Sequence, residues 1–446
     1  MLRLALAALR ARPGSFAGLA TALLLAVAVI TLFGSLIATA IAGGGDSRLA
    51  MIGGAFGEIA MVMALFVVAN TLGFSVRRQA RDMALLRTSG ATPVQVKRLI
   101  RCQVVLVTLL VSPPAWVLGS WGARVFLTEL VARGLAPAGA GVPWTPFPML
   151  IGTAATVLVG VGAAKLAARR TVRGRPSAAM AQTAAEQGRL GWVRGIAGVL
   201  VLAGAGALCA VAARQPVDKA AQAALLGALV LMVAVGLLGP LLARIAIVLL
   251  GLPIRLVGRR HRGDAGGRLA ADNLRGHAHR LSSAVVPIAL LVGLSTTFAA
   301  ITGTFQKVAP PGAYAESDIW LRGVELAMLA GFGAVATVNT LVSLTTARRR
   351  EYALLTLIGA TRRQLLRMLG TEAVLTAMAG VLIGIGVAAP VSMAFAAAAT
   401  DSLRPSIPLE THGPLILGVV VLTAATILLT GVKATSEPAV SAAATA

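Results

Sequence analysis

Cysteine, histidine, aromatic and acidic residues are all scarce in this chain, and each scarcity closes off a class of chemistry. Two cysteines, Cys102 and Cys209, cannot build a disulfide framework or a thiolate-rich metal site. His277-x-His279, with His261 nearby, has no Cys or carboxylate set at ligand spacing and reads as solvated interfacial histidine. Aromatic residues make up only 4%, so the basic stretches offer few rings on which bases could stack. That excludes nucleic-acid binding in spite of a net charge of +24. No G-x-x-x-x-G-K-[ST] occurs, so the chain carries no P-loop for ATP. Gly384-Ile-Gly386 lies inside an apolar run and reads as a packing motif, not a dinucleotide loop. Charge is also missing from the middle of the apolar runs, where each ionisable group costs at least about 2.5–3.5 kcal/mol. Glu58, Glu325, Lys165 and Glu372 fall near run ends, and Arg244 can reach the inner interface. This weighs against a proton- or sodium-driven transporter.

What is abundant is apolar sequence. The chain is 57% hydrophobic with a mean hydropathy of +0.85, and long apolar runs recur along its length. Ten spans are expected, at about 15–42, 55–76, 102–123, 147–168, 195–213, 220–250, 281–305, 324–346, 371–399 and 413–432. The first is too long for a signal-peptide core and reads as an uncleaved span. It also has a later counterpart: Leu9-Arg10 before it matches Leu274-Arg275 before the seventh. With residue 1 inside, only eight of the 40 basic residues (Arg48, Arg124, Arg133, Arg214, Lys219, Lys307, Arg322 and Arg404) fall outside. This positive-inside distribution places both termini in the cytoplasm. The preference for Arg over Lys, with abundant Ala and Gly, points to a GC-rich bacterial genome and so to a bacterial cytoplasmic membrane.

Residues 70–98 and 339–367 are two copies of one segment, aligned without a gap at an offset of 269. Twelve of their 29 positions are identical, among them Arg81/Arg350, Leu85/Leu354, Leu86/Leu355, Gly90/Gly359, Ala91/Ala360, Thr92/Thr361 and Gln95/Gln364. A repeat of this length implies two equivalent halves. The expected organisation is a four-span repeat over 1–168, a two-span hairpin with cytoplasmic connectors over 169–280, a second four-span repeat over 281–433, and a disordered tail over 434–446. An even number of spans between the repeats makes them parallel. The outer connections are too short to fold as a domain, and Gly380-x-x-x-Gly384, Gly152, Gly160 and Gly162 read as helix-packing positions.

Each copy should form a helix, a glycine turn and a second helix running back into the membrane. Gly90 and Gly359 suit the left-handed position that ends a helix. Thr92 with Gln95, and Thr361 with Gln364, form capping boxes, and Pro93 sits at the favoured first helical position. Met83 and Leu86, and Tyr352 and Leu355, are expected to make an apolar edge among arginines. Two readings stand: the edge docks a soluble partner, or it lies on the lipid interface while the arginines fix topology. The duplication favours docking.

The pattern R-E-x-A-L-L-x-x-x-G-A-T-x-x-Q between two spans resembles the cytoplasmic loop of FtsX-like, or MacB-type, ABC transporter permeases. It is carried by Arg350, Glu351, Ala353, Leu354, Leu355, Gly359, Ala360, Thr361 and Gln364, continuing to Glu372. The first copy has Asp82 in place of Glu351 and Gln103 in place of Glu372. The resemblance implies an all-α membrane protein of ten transmembrane helices, with two parallel FtsX-like repeats around a central hairpin. It implies docking of a separate cytosolic ATPase by residues 81–92 and 350–361: Arg81, Asp82, Met83, Leu85, Leu86, Gly90, Ala91 and Thr92, and Arg350, Glu351, Tyr352, Leu354, Leu355, Gly359, Ala360 and Thr361. ATP and Mg would then belong to two copies of that partner, with no cofactor in this chain. Duplicated ten-span members resemble the permeases of bacterial peptide-antibiotic resistance systems, which export or extract amphiphiles. This chain departs from them in lacking a large external domain. The alternative is a non-transporting FtsX-type regulator of envelope enzymes.

Overall fold

The computed structural model describes residues 2–11, 13–173, 192–260, 278–308 and 316–435. His261, His277, Leu274-Arg275 and the tail after residue 435 therefore lie outside the described residues, as does most of the two long connectors 169–194 and 251–280. Among the described residues there are thirteen helices and no strand. They are α1 Leu2–Ala11, α2 Pro13–Ala42, α3 Ser47–Arg78, α4 Ala80–Thr88, α5 Pro93–Ala132, α6 Phe147–Arg173, α7 Trp192–Ala212, α8 Val217–Arg260, α9 Ala278–Val308, α10 Glu316–Ala347, α11 Arg349–Leu357, α12 Arg362–Thr400 and α13 Leu409–Thr435. Ten of these are long and apolar enough to cross a bilayer, and each contains one of the ten expected spans.

Several helices outrun the apolar stretch inside them. The backbone hydrogen-bond ladder continues wherever a cap or helix former allows, whereas hydropathy marks only the bilayer. α3 starts at Ser47 because Asp46 caps it, its carboxylate accepting from the amides of Arg48 (3.0 Å) and Leu49 (3.3 Å). α5 runs on to Ala132, through Pro113 and Pro114, so its connection to α6 is shorter than expected.

The chain divides into two compact units, Met1–Gln187 and Gly188–Ala446. In the first, α2 packs on α3, α5 and α6, and α1 lies along α5. Phe33, Phe56 and Phe126 join α2, α3 and α5, with ring centroids 5.5–6.1 Å apart. In the second, α9 packs on α8, α10 and α12, and α12 also packs on α8 and α13. α9 is enclosed on nearly all sides, and its apolar residues and its hydroxyls, such as Ser295, Thr296 and Thr297, are buried alike. The hairpin α7–α8 therefore belongs to the second unit, with α8 lying against α9 and α12. Its two helices are joined by an arginine. Pro240 cannot donate to the carbonyl of Gly236, and Arg194 of α7 supplies the missing donor (2.8 Å) while also reaching Leu237 O (2.9 Å).

The small-residue positions divide in two. Gly162 faces open space, whereas Gly160 lies against Val104 and Gly152 against Thr31 and Val27. Gly380 and Gly384 bring α12 onto α9: a Cβ at 380 would overlap Ile288 Cγ2, and one at 384 would stand 2.7 Å from Val292 Cβ. Gly380→Leu is expected to force these helices apart, at a cost of about 1–3 kcal/mol or more. It should lower the melting temperature of the detergent-solubilised protein. Gly386→Leu, on the same helix but facing open space, should leave it unchanged.

Candidate functional site

The repeated segments form two matching brackets. α3 and α10 are both 32 residues long and begin 269 positions apart; α4 and α11 are both nine residues long at the same offset. One residue, Gln79 or Arg348, separates the long helix from the short one. The short helix then ends in a Schellman turn. In the first bracket Ala91 N donates to Leu86 O (2.9 Å) and Gly90 N to Arg87 O (3.2 Å); in the second Ala360 N donates to Leu355 O (2.9 Å) and Gly359 N to Thr356 O (3.0 Å). Gly90 and Gly359 have φ of +100° and +101°, which L side chains rarely adopt, so glycine is required at both. Both capping boxes form. Gln95 N reaches Thr92 Oγ1 and Gln364 N reaches Thr361 Oγ1 at 3.3 Å, while the threonine amides donate back to the glutamine carbonyls at 2.8 Å.

Burial repeats with the fold. Ala84 and Ala353 are buried, Leu86, Leu355, Ala91 and Ala360 are half-buried, and Leu85, Leu354, Thr92 and Thr361 are exposed. The side chains of Arg81 and Arg350 lie outside the described residues; Asp82 and Glu351 are half-buried. The expected apolar edge needs correction. Met83 is only 3% exposed and Tyr352 only 1%, so neither offers a surface to a partner. Tyr352 packs in a core with Leu341, Leu365, Met368, Leu369 and Ile427, and the half-buried Leu355 leans on the same core. Helical spacing allows two apolar stripes on α11, and the membrane helices bury the one containing Tyr352. The stripe facing outward is Leu354, Leu357 and Ile358, the last 82% exposed. In the first bracket the equivalent positions are Leu85, Thr88 and Ser89.

The second bracket also contains a buried ionic cluster that the motif did not disclose. Arg348, at the α10–α11 junction, donates from Nε to Glu351 Oε2 (2.8 Å), from Nη1 to Glu372 Oε2 (2.5 Å) and from Nη2 to Glu372 Oε1 (3.2 Å). Its guanidinium lies 5.2 Å from the Tyr352 ring centroid. Glu372, in the N-terminal third of α12, is 3% exposed. Burial opposes the charge on Arg348, but the hydrogen bond and charge of Glu372, aided by Tyr352 and Glu351, hold its pKa above the ordinary value. Burial also raises the Tyr352 phenol, partly offset by Arg348, so this ring stays neutral. The sequence marks Glu372 as a charge near a span end and as the position to which the motif continues, without indicating a partner for it. Arg348 lay outside the motif; its signal was the paired change from Gln79 and Gln103 in the first copy.

Among the described residues no group of three or more His, Cys, Asp or Glu could hold a metal ion. No curated protein matches the chain. The family model for the FtsX-like permease C-terminal domain matches twice, over residues 54–176 and 323–439, together more than half of the chain. This chain is an FtsX-like permease. Its two matched regions begin 269 residues apart, the offset of the brackets, so the duplication involves the family domain itself. The FtsX-like permease is thus a multi-pass membrane protein and a permease of an ABC-type system. Members of this family are membrane subunits that work with a cytosolic ABC ATPase.

Proposed function

We propose that this FtsX-like permease couples two copies of a cytosolic ABC ATPase, one at each bracket, to export or extraction of an amphiphile. The cargo class is a lipid, a peptide antibiotic or a hydrophobic drug, which would move along the helix bundle from the bilayer. Both brackets and both termini lie in the cytoplasm of a bacterium, on the side where basic residues concentrate. ATP and Mg are bound by the partner. The observation that carries this reading is the bracket pair itself, with equal helix lengths, the same Schellman turn, the same capping box and closely matching burial. A turn fixed by two Schellman bonds and a capping box keeps its shape without a partner, and a pre-organised surface spends less binding energy on ordering. ATP binding that closes the two ATPase subunits would then move each bracket as a body and rock the long helices attached to it.

Of the residues expected to dock the ATPase, Leu85, Leu354 and the exposed turn at Gly90–Thr92 and Gly359–Thr361 remain surface contacts. Met83 and Tyr352 hold the bracket from behind. The test is purification of the permease with its ATPase, reconstitution in nanodiscs, and measurement of ATP turnover as lipids, peptide antibiotics and hydrophobic drugs are added. Turnover stimulated by one of these classes is the expected result. An ATPase that binds but responds to no amphiphile would move the assignment to a regulator of envelope enzymes, and absence of any bound ATPase would end the docking reading.

A further inference from the structure

The two brackets share a backbone but not an attachment. In the second, the junction residue Arg348 is joined by two hydrogen bonds to Glu372 on the returning helix α12 and by one to Glu351 on α11. In the first, the corresponding positions 79 and 103 are both glutamine, and the Gln79 side chain instead donates to Ser75 Oγ, one turn back on its own helix (3.4 Å). The only carboxylate on α5 is Glu129, near its far end, so the returning helix of the first bracket has no counterpart of Glu372. The exposed stripes differ in the same sense: Leu354, Leu357 and Ile358 against Leu85, Thr88 and Ser89. The short helices also rest on different neighbours, α11 against α13 and α4 against α5.

We infer that Arg348 and Glu372 are positioning residues that hold the second bracket rigidly to α12, and that the two brackets therefore transmit the ATPase stroke unequally. This rests on the docking reading above. The second bracket is the stiff arm with the apolar grip. The first has a more polar grip and glutamine in place of both members of the pair, and follows.

Hydrogen–deuterium exchange of the full-length permease in nanodiscs tests the attachment without any ATPase. Amides of 349–361 should exchange about tenfold more slowly than those of 80–92, as expected for a segment whose opening breaks charge-assisted bonds. The double variant Arg348→Gln/Glu372→Gln, which copies the first bracket and leaves no buried charge at position 372, should bring the two rates together. Gln79→Arg/Gln103→Glu should slow exchange over 80–92. In the complex, the neutral double variant should retain its bound ATPase but lose most of the amphiphile-stimulated turnover. Equal exchange of the two segments in the unaltered chain would overturn the inference, as would an unchanged rate or a normal stimulated turnover in the neutral double variant. An unaltered permease that binds no ATPase would defeat the docking reading instead, while the exchange comparison still stood.

Discussion

A permease carrying Leu354→Asp together with Ile358→Asp is expected to insert normally and to lose its ATPase. Both side chains are exposed and neither belongs to the core beneath Tyr352, so the bracket keeps its fold. Burying each in a partner contributes about 1.5–3 kcal/mol, and each new carboxylate would have to be dehydrated in an apolar contact. The combined loss is at least about 4 kcal/mol, or roughly a thousandfold in affinity. Co-purification after mild solubilisation measures it, and unchanged protease accessibility of the loops reports normal insertion. Leu85→Asp in the first bracket removes one apolar contact where the second loses two, and should weaken the complex less. If the double variant still co-purifies at parental stoichiometry, the outward stripe of α11 is not a dock. Substituting Leu355, which leans on the core, would confound docking with folding.

The second large effect concerns stability. Arg348→Met leaves Glu372 buried with its charge and without its guanidinium partner, which is expected to cost about 3–5 kcal/mol. Arg348→Met/Glu372→Met removes both charges and fills the space with apolar groups, and should recover most of that loss. The two outcomes separate a buried pair from a surface one, because an exposed ion pair contributes only about 0–1 kcal/mol and its loss would show no such rescue. Thermal unfolding in detergent, followed by size-exclusion chromatography after heating, provides the measurement. A single variant as stable as the parent would mean that solvent reaches Glu372.

Much of this arrangement is readable from the residues. The apolar runs locate all ten spanning helices, and the two copies of G-A-T-x-x-Q specify both glycine turns and both capping boxes, because those motifs depend on local geometry. Gly380 and Gly384 announce the close contact of α12 with α9 for the same reason: only an absent side chain permits it. What depends on tertiary packing is not readable. Nothing in the spacing of Tyr352, Leu354, Leu355 and Ile358 says which stripe the neighbouring helices will cover, and the stripe with Tyr352 proved to be the inner one. Hydropathy could not place the ends of α3 and α5, since Asp46 and a continuing hydrogen-bond ladder set them outside the bilayer stretch. Nor could it assign the α7–α8 hairpin, which joins the second unit mainly where Ala243, Ala246 and Ile247 of α8 pack with Val285, Leu375 and Ala379. The Arg348–Glu372 contact left a trace that was legible in principle. Two positions 24 residues apart both change between the copies, Gln to Arg and Gln to Glu, and paired changes of this kind mark contact.

Main-chain bonds and one threonine–glutamine pair fix each glycine corner, joined in the first bracket by the Thr88 and Ser89 hydroxyls on Leu85 O and Leu86 O, so the outward-facing apolar side chains of the preceding helix make no bond that shapes it. Four of them, Leu85, Leu354, Leu357 and Ile358, could be rewritten without disturbing the scaffold. Such a construction works like an interchangeable fitting: a lineage could trade one motor protein for another by altering a few surface letters, and could do so on one arm at a time.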